Sequence, residues 1–265
     1  QIDKAKSQPS QENMVRNLIL NQRVDMVAPF VSRTVWQSNG ADPVRRPRQR
    51  VYGGLDLSEV NDLTALVLVD EDDGSVFPTF WLPEHDLKGR SARDKVQYDV
   101  WEKQGFLQTT PGKTIQYRFV AQYLRRVFDE FDVQLLGFDR YHMAHLKEWL
   151  ERVDPKTGKP LFSQQEIDKL IDFGQGTASM TPALRELEVR LTESQLRHGN
   201  HPVLTMCAAN ARIKGDNSAR AFDKRTARGR IDGMVALAMA VGVMPQRVEE
   251  TKRNWGDYLT DMASA

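Results

Sequence analysis

Val51-Tyr52-Gly53-Gly54-Leu55-Asp56-Leu57, with Leu63-Thr64-Ala65-Leu66-Val67-Leu68-Val69-Asp70 close behind it, decides how the rest of the chain reads. The first run is strand-like. The second is almost wholly apolar, the pattern of a strand buried on both faces. The acidic turn Glu71-Asp72-Asp73-Gly74 then sends the chain back through residues 75–82, predicting a three-stranded meander. One residue does not belong to that pattern. Asp is depleted in strands, yet Asp56 stands inside one, between Leu55 and Leu57.

Outward from the meander the text becomes helical. Residues 90–104 and 117–131 carry helical patterns, the second with Phe119, Val120, Tyr123, Leu124, Val127, Phe128 and Phe131 at offsets of three and four. Residues 134–138 read as a short buried strand ending in Asp139, followed by a helix over 143–153, a turn-rich segment at 154–160 and another helix near 163–171. Thr181-Pro182 predicts an N-cap with proline at the first helical position, opening a helix to about Arg197. Residues 203–207 read as a last short strand, and 231–243 as a strongly apolar helix with Asp232 at its start. Residues 1–50 are mostly polar, with one helical pattern at 11–21 and a basic, proline-punctuated stretch at 43–50. This predicts a linker or interdomain segment at 1–50, one domain at 51–245 and a tail at 246–265.

Composition narrows the class. The chain has 265 residues, 40% hydrophobic and 28% charged, which is globular usage rather than disordered or fibrous. Its longest apolar run, 234–244, falls well short of the roughly 20 residues needed to cross a bilayer, so no membrane partner is expected. A single cysteine, Cys207, excludes an intrachain disulfide, reads as structural, and makes a reducing cytoplasm the economical expectation. The 37 Lys and Arg nearly balance 36 Asp and Glu, yet 212–230 concentrates seven basic residues against Asp216 and Asp223, a local net charge of +5. Such a run is either a solvated loop or a phosphate-binding surface, with Lys224, Arg225, Arg228 and Arg230 its candidate DNA-binding residues.

Asp56, Asp139 and Asp232 are the candidate catalytic and metal-ligating residues. Carboxylates gathered from a strand, a strand end and a helix start repel one another by roughly 4 kcal/mol per pair at about 4 Å unless a cation lies between them. Mg²⁺ takes hard oxygen ligands, and two such ions together activate water and stabilise a leaving oxygen in phosphodiester cleavage. Each acid also has a plainer reading: Asp56 as a turn start, Asp139 as a solvated strand end, Asp232 as a helix cap facing the positive end of the dipole. Gly233, leaving open space beside the third carboxylate, favours the ligand reading there, with Asp223 the next candidate. His142 and His145 read as first-turn residues rather than ligands, and the five tryptophans as packing residues.

The segments Gly54-Leu55-Asp56-Leu57-Ser58, Phe80-Trp81-Leu82-Pro83, Gly137-Phe138-Asp139-Arg140, Gly174-Gln175-Gly176 with Ser179-Met180-Thr181-Pro182-Ala183-Leu184, and Arg230-Ile231-Asp232-Gly233 occur in that order. Together they resemble the nuclease half of the large terminase subunit of tailed double-stranded DNA phages. The resemblance implies an α/β, ribonuclease H-like mixed sheet flanked by helices. It further implies an endonuclease that cuts concatemeric viral DNA during packaging by two-metal hydrolysis, with two Mg²⁺ or Mn²⁺ ions on Asp56, Asp139 and Asp232. The implied partners are double-stranded DNA and, in the full-length protein, the portal and small terminase subunit, in the cytoplasm of the infected bacterial host. The family also carries a packaging ATPase, but no G-x-x-x-x-G-K-[ST] occurs here and the chain starts at Gln1 without Met, so an excised nuclease domain is expected. The rival readings are a resolvase-type nuclease of the same fold and an idle DNA-binding or motor-docking module. A sugar-kinase-like ATPase would need a second glycine-rich phosphate hairpin, which is missing.

Overall fold

The computed structural model describes residues 29–60, 62–153, 158–216, 218–225, 227 and 229–245, with the side chains of 140–142 excepted. The expected helix at 11–21, the tail at 246–265 and Trp255 lie outside the described residues. The meander forms as β1 (Arg50–Asp56), β2 (Thr64–Asp70) and β3 (Val76–Pro83), each pair antiparallel. Its turn is closed by carboxylates: Asp70 accepts from the Asp72 and Asp73 nitrogens at 2.8 and 2.9 Å, and Gly74 takes a φ of 69° beneath the Gln195 carbonyl.

β4 (Gln108–Thr110) extends the sheet beyond β3, while β5 (Asp132–Phe138) pairs parallel with β1 and β6 (Leu170–Asp172) parallel with β5. The strand order is β4-β3-β2-β1-β5-β6. Helices cover both faces, the ribonuclease H-like α/β architecture that the resemblance implied. Along β2, Ala65, Val67 and Val69 enter one core and Leu66 and Leu68 the other, the period-2 alternation of a strand buried on both sides. One core is roofed by α4 (Tyr117–Glu130) and α5 (Arg140–Leu150). The other holds α7 (Thr177–Thr192), α8 (Pro202–Asn210) and the apolar α9 (Asp232–Gly242). No helix among the described residues is long and apolar enough to cross a membrane.

Several elements depart from expectation. The helix expected over 90–104 breaks at Lys95, left-handed at φ 55°, into α2 (Leu87–Asp94) and α3 (Tyr98–Lys103), a bend that buries Tyr98. The helix expected over 163–171 is one turn, α6 (Gln164–Ile167), closed by a Ser163–Glu166 capping box, because residues 170–172 leave to pair with β5. Thr181 is not an N-cap: α7 starts at Thr177, the Met180 nitrogen bonding the Gly176 carbonyl, and Pro182 lies inside it. Residues 203–207 are helix, not strand. Pro202 opens α8 and the Thr205 nitrogen bonds the His201 carbonyl, and a short apolar run alone does not separate the two states. The basic segment folds into a hairpin, β7 (Ile213–Gly215) with β8 (Arg220–Phe222).

Residues 29–49, expected within the linker, pack on the domain. There α1 (Arg33–Ser38) stacks Trp36 on His198 at 3.9 Å and donates its indole N–H to Thr205, while buried Asn39 bonds the Leu191 carbonyl. Burying a side chain of this size stabilises by about 2–3 kcal/mol.

Helix α9 packs over β1 at backbone contact. A Cβ on Gly54 would lie 2.0 Å from the Ala236 carbonyl oxygen and 2.7 Å from the Ala240 nitrogen. Since both atoms are backbone, they yield only if the helix moves. Gly54→Ala is therefore expected to lower unfolding stability by about 3 kcal/mol or more, whereas Gly105→Ala, with nothing within 4 Å but a φ of 82°, pays only its local backbone strain. Urea unfolding of the two variants tests the contrast, and a Gly54→Ala midpoint equal to that of the wild type would refute the packing argument.

Candidate active site

Tyr52, Gly54 and Asp56 alternate onto the face of β1 that α9 covers, and Asp232 is the first residue of α9, one turn before Ala236. The helix that needs Gly54 bare thus sets Asp232 beside Asp56. Asp139 follows β5 directly, and since Leu55 pairs with Phe138, Asp56 and Asp139 occupy the next position on neighbouring parallel strands. The Asp139 charge is felt at Asp56. Sheet register and helix packing bring all three expected acids to one end of the fold.

Asp56 and Asp232 are both 4% exposed. Lys224, on the turn after β8, places its Nζ 3.4 Å from Asp56 Oδ2 and 4.0 Å from Asp232 Oδ1. Gln175 donates to Asp56 Oδ1 at 2.8 Å. Asp232 Oδ2 is buried without a hydrogen-bond partner among the described residues. Burial raises the Asp56 carboxyl above its ordinary range, opposed by the Lys224 charge and the Gln175 bond. Burial, reinforced by Asp56, pushes Asp232 up to about 7. Burial works against the Lys224 ammonium, but the two carboxylates more than reverse it and its pKa is raised.

The cap reading of Asp232 does not hold. Ile231 occupies the cap, no side chain bonds there, and Asp232 is already helical. Nor does Gly233 leave open space, since a Cβ there would lie 2.9 Å from the Phe80 ring. Glycine is needed for packing, and the ligand reading rests on the orphaned Asp232 oxygen instead. Among the described residues no three His, Cys, Asp or Glu side chains lie close enough to hold a metal ion as they stand. Two buried carboxylates, one of them pushed up by the other's charge and carrying an oxygen without a partner among the described residues, nevertheless fit a hard divalent cation. His145 stacks on Tyr117, and Asp223 accepts from the Arg225 nitrogen in the adjoining turn.

Three of the seven cations of the basic segment are turned inward. Arg212 is buried and donates to the Ala209 and Ala211 carbonyls, and Arg220 pairs with Glu188. Arg230, expected among the DNA-binding residues, is clamped by Asp62 and Asp94 with 15% of its side chain exposed. Arg228 lies outside the described residues. Lys214 and Arg225 face solvent and, with Lys224 and Gln175, line an open cleft floored by Met180, Phe222 and Val235. Sequence reasoning assigned Gln175 no role, although an amide between two glycines just past β6 was its visible signal.

The terminase large-subunit endonuclease domain, as a family, matches residues 4–247. The chain belongs to that family. It is 43% identical over 263 residues to the terminase large subunit of Enterobacteria phage HK97, covering 98% of this chain and 50% of that protein. Protein YmfN of Escherichia coli K12 is 26% identical over 177 residues, 63% of this chain and 36% of that protein. The crystal structure of the HK97 large terminase matches with a TM-score of 0.71 at 44% identity, over 91% of this chain and 49% of that one. The large terminase nuclease of thermophilic phage G20c, 11% identical with a TM-score of 0.50 over 80% of this chain and 98% of that one, shares the fold. The chain thus spans about half the length of the HK97 relative.

An Asp232 carboxyl raised from 3.8 to about 7 stabilises the folded state fully below pH 3.8, and that stability is lost as pH rises toward 7. In EDTA, the wild-type melting temperature is therefore expected to fall between about pH 4 and pH 7 more steeply than that of Asp232→Asn, which carries no such charge. Thermal melts across that range decide it, and parallel curves would show that Asp232 does not titrate in this way.

Proposed function

We propose that this chain is the nuclease domain of a phage large terminase subunit, an endonuclease that hydrolyses phosphodiester bonds of double-stranded DNA as concatemeric genomes are packaged. The observation that carries the reading is the pair of buried carboxylates, Asp56 and Asp232, with one oxygen unpartnered and Asp139 at the adjacent strand end. These three residues would hold two Mg²⁺ or Mn²⁺ ions. When bound, such ions supply an activated water and charge stabilisation at the leaving oxygen. Gln175 fixes the rotation of the Asp56 carboxylate, and burial of Asp56 and Asp232 keeps bulk water from most of their surface. Lys214 and Arg225 would take backbone phosphates in the cleft beside them. The portal and small terminase subunit are the proposed partners of the longer protein, working in the cytoplasm of the infected bacterial host.

Incubation of supercoiled plasmid with the chain and Mg²⁺ or Mn²⁺ is expected to give nicked and linear DNA. EDTA should abolish it, and Asp56→Asn, Asp139→Asn and Asp232→Asn should each lower the rate by about a hundredfold or more. EDTA-resistant cutting would remove the metal mechanism. Absence of cutting by the wild type would favour the idle docking module, and preference for branched over linear DNA a resolvase-type enzyme.

The two kinds of arginine in the basic segment separate in a second experiment. Arg225→Ala should reduce the dependence of log affinity on log salt by about 0.9 with little change in melting temperature, as the loss of one phosphate contact requires. Arg230→Met should leave that slope unchanged and lower stability by about 1–2 kcal/mol, because the mostly buried Asp94 loses its charge-assisted bond to Arg230 and keeps only Tyr98 and the more distant Arg93. Salt-dependent fluorescence anisotropy with a duplex in EDTA measures the slopes, and a fall for Arg230→Met alone would reverse the assignment.

A further inference from the structure

We propose that Lys224 is a built-in counter-cation that holds the place of the first divalent ion and leaves the acid centre when that ion binds. The proposal rests on the reading of Asp56 and Asp232 as cation ligands and adds a residue that must move for them to act.

The geometry is that of an ammonium standing in for a metal. Lys224 Nζ lies between Asp56 Oδ2 and Asp232 Oδ1, at 3.4 and 4.0 Å. The other oxygen of Asp56 is occupied by Gln175 at 2.8 Å, so that carboxylate turns its free edge toward the lysine. The other oxygen of Asp232 is buried and unpartnered. One positive charge therefore serves two carboxylates, and at distances far longer than the roughly 2.1 Å of a Mg²⁺–oxygen contact. A divalent ion would supply both the missing charge and the closer contacts. It cannot share the space, because an ammonium and a dication about 4 Å apart repel more strongly than any ordinary ion pair attracts.

Departure is sterically open to Lys224 and closed to the acids. Its side chain is 48% exposed, against 5% and 6% for Asp56 and Asp232, so the stem enters from the solvent side. It stands on the tight turn in which the Arg225 nitrogen bonds Asp223, so rotation of the lysine side chain alone suffices and no strand or helix need move. The released ammonium would swing away from the acids within the cleft that Lys224 already lines with Lys214, Asp223 and Arg225, freeing its charge for a phosphate held there. Cation loading and phosphate affinity then favour each other through one side chain.

The test combines Mn²⁺ titration calorimetry on wild type, Lys224→Met and Lys224→Gln with acetic anhydride labelling of the wild type, read by mass spectrometry with Lys214 as reference. Both variants are expected to bind Mn²⁺ about tenfold or more tightly than wild type, since no internal cation competes. Lys224 labelling should rise several-fold when Mn²⁺ is added, while Lys214 labelling stays constant. Equal or weaker Mn²⁺ binding by the variants overturns the proposal and leaves the acids as ligands. Tighter binding with unchanged labelling also overturns it, since a lysine that only repels the ion from a fixed position would do that. The labelling arm uses unaltered protein and stands even if a variant fails to fold. Failure of Mn²⁺ to bind any of the three proteins would overturn the ligand reading itself, and this proposal with it.

Discussion

The contact between α9 and β1 at Gly54 is the constraint on which the acid centre depends. A helix normally stands off a sheet by the length of its side chains, but here the Ala236 carbonyl approaches a strand residue that has none. Lateral position and tilt of α9 are thereby fixed to within the tolerance of backbone contact. The first residue of that helix inherits this precision, and Asp232 comes to rest beside the carboxylate two residues further along the strand. The second strand involved, β5, needs no comparable device, because parallel pairing with β1 places its end by register alone.

The consequence is electrostatic. Packing that places two carboxylates side by side out of water creates an unfavourable arrangement, and the fold relieves it only in part. One ammonium and one amide address three of the four oxygens, and the fourth has no partner. A fold built for stability alone would place apolar residues here. Arg212, Arg220 and Arg230 make their direct contacts with carbonyls and carboxylates elsewhere, and only the charge of Arg230 is felt at Asp232.

The meander was legible in the sequence because apolar runs separated by an acidic turn admit few other readings, and α9 because an eleven-residue stretch with no polar residue but its leading acid forms an element of one kind. Asp56, Asp139 and Asp232 stood out as acids in apolar settings, and the structure brings them to one end of the sheet. Less legible were short elements whose state is set by neighbours. Residues 170–172 are a strand only because β5 offers an edge, and 203–207 a helix because Pro202 and His201 start one. Charge was the least legible property of all: the sequence displays seven cations in 212–230 but not which of them face inward. Gly233 shows the same limit, for a glycine leaves a gap or fills a tight contact according to what lies opposite, here Phe80.

The six-stranded sheet ends on each side in a three-residue strand, β4 at one edge and β6 at the other. β4 covers only Trp81–Pro83 of β3 and β6 only Leu136–Phe138 of β5, whereas the long apolar strands β1 and β2 are sealed at the centre by a strand on each side. An incoming chain could therefore reach β1 or β2 only after the sheet itself had opened.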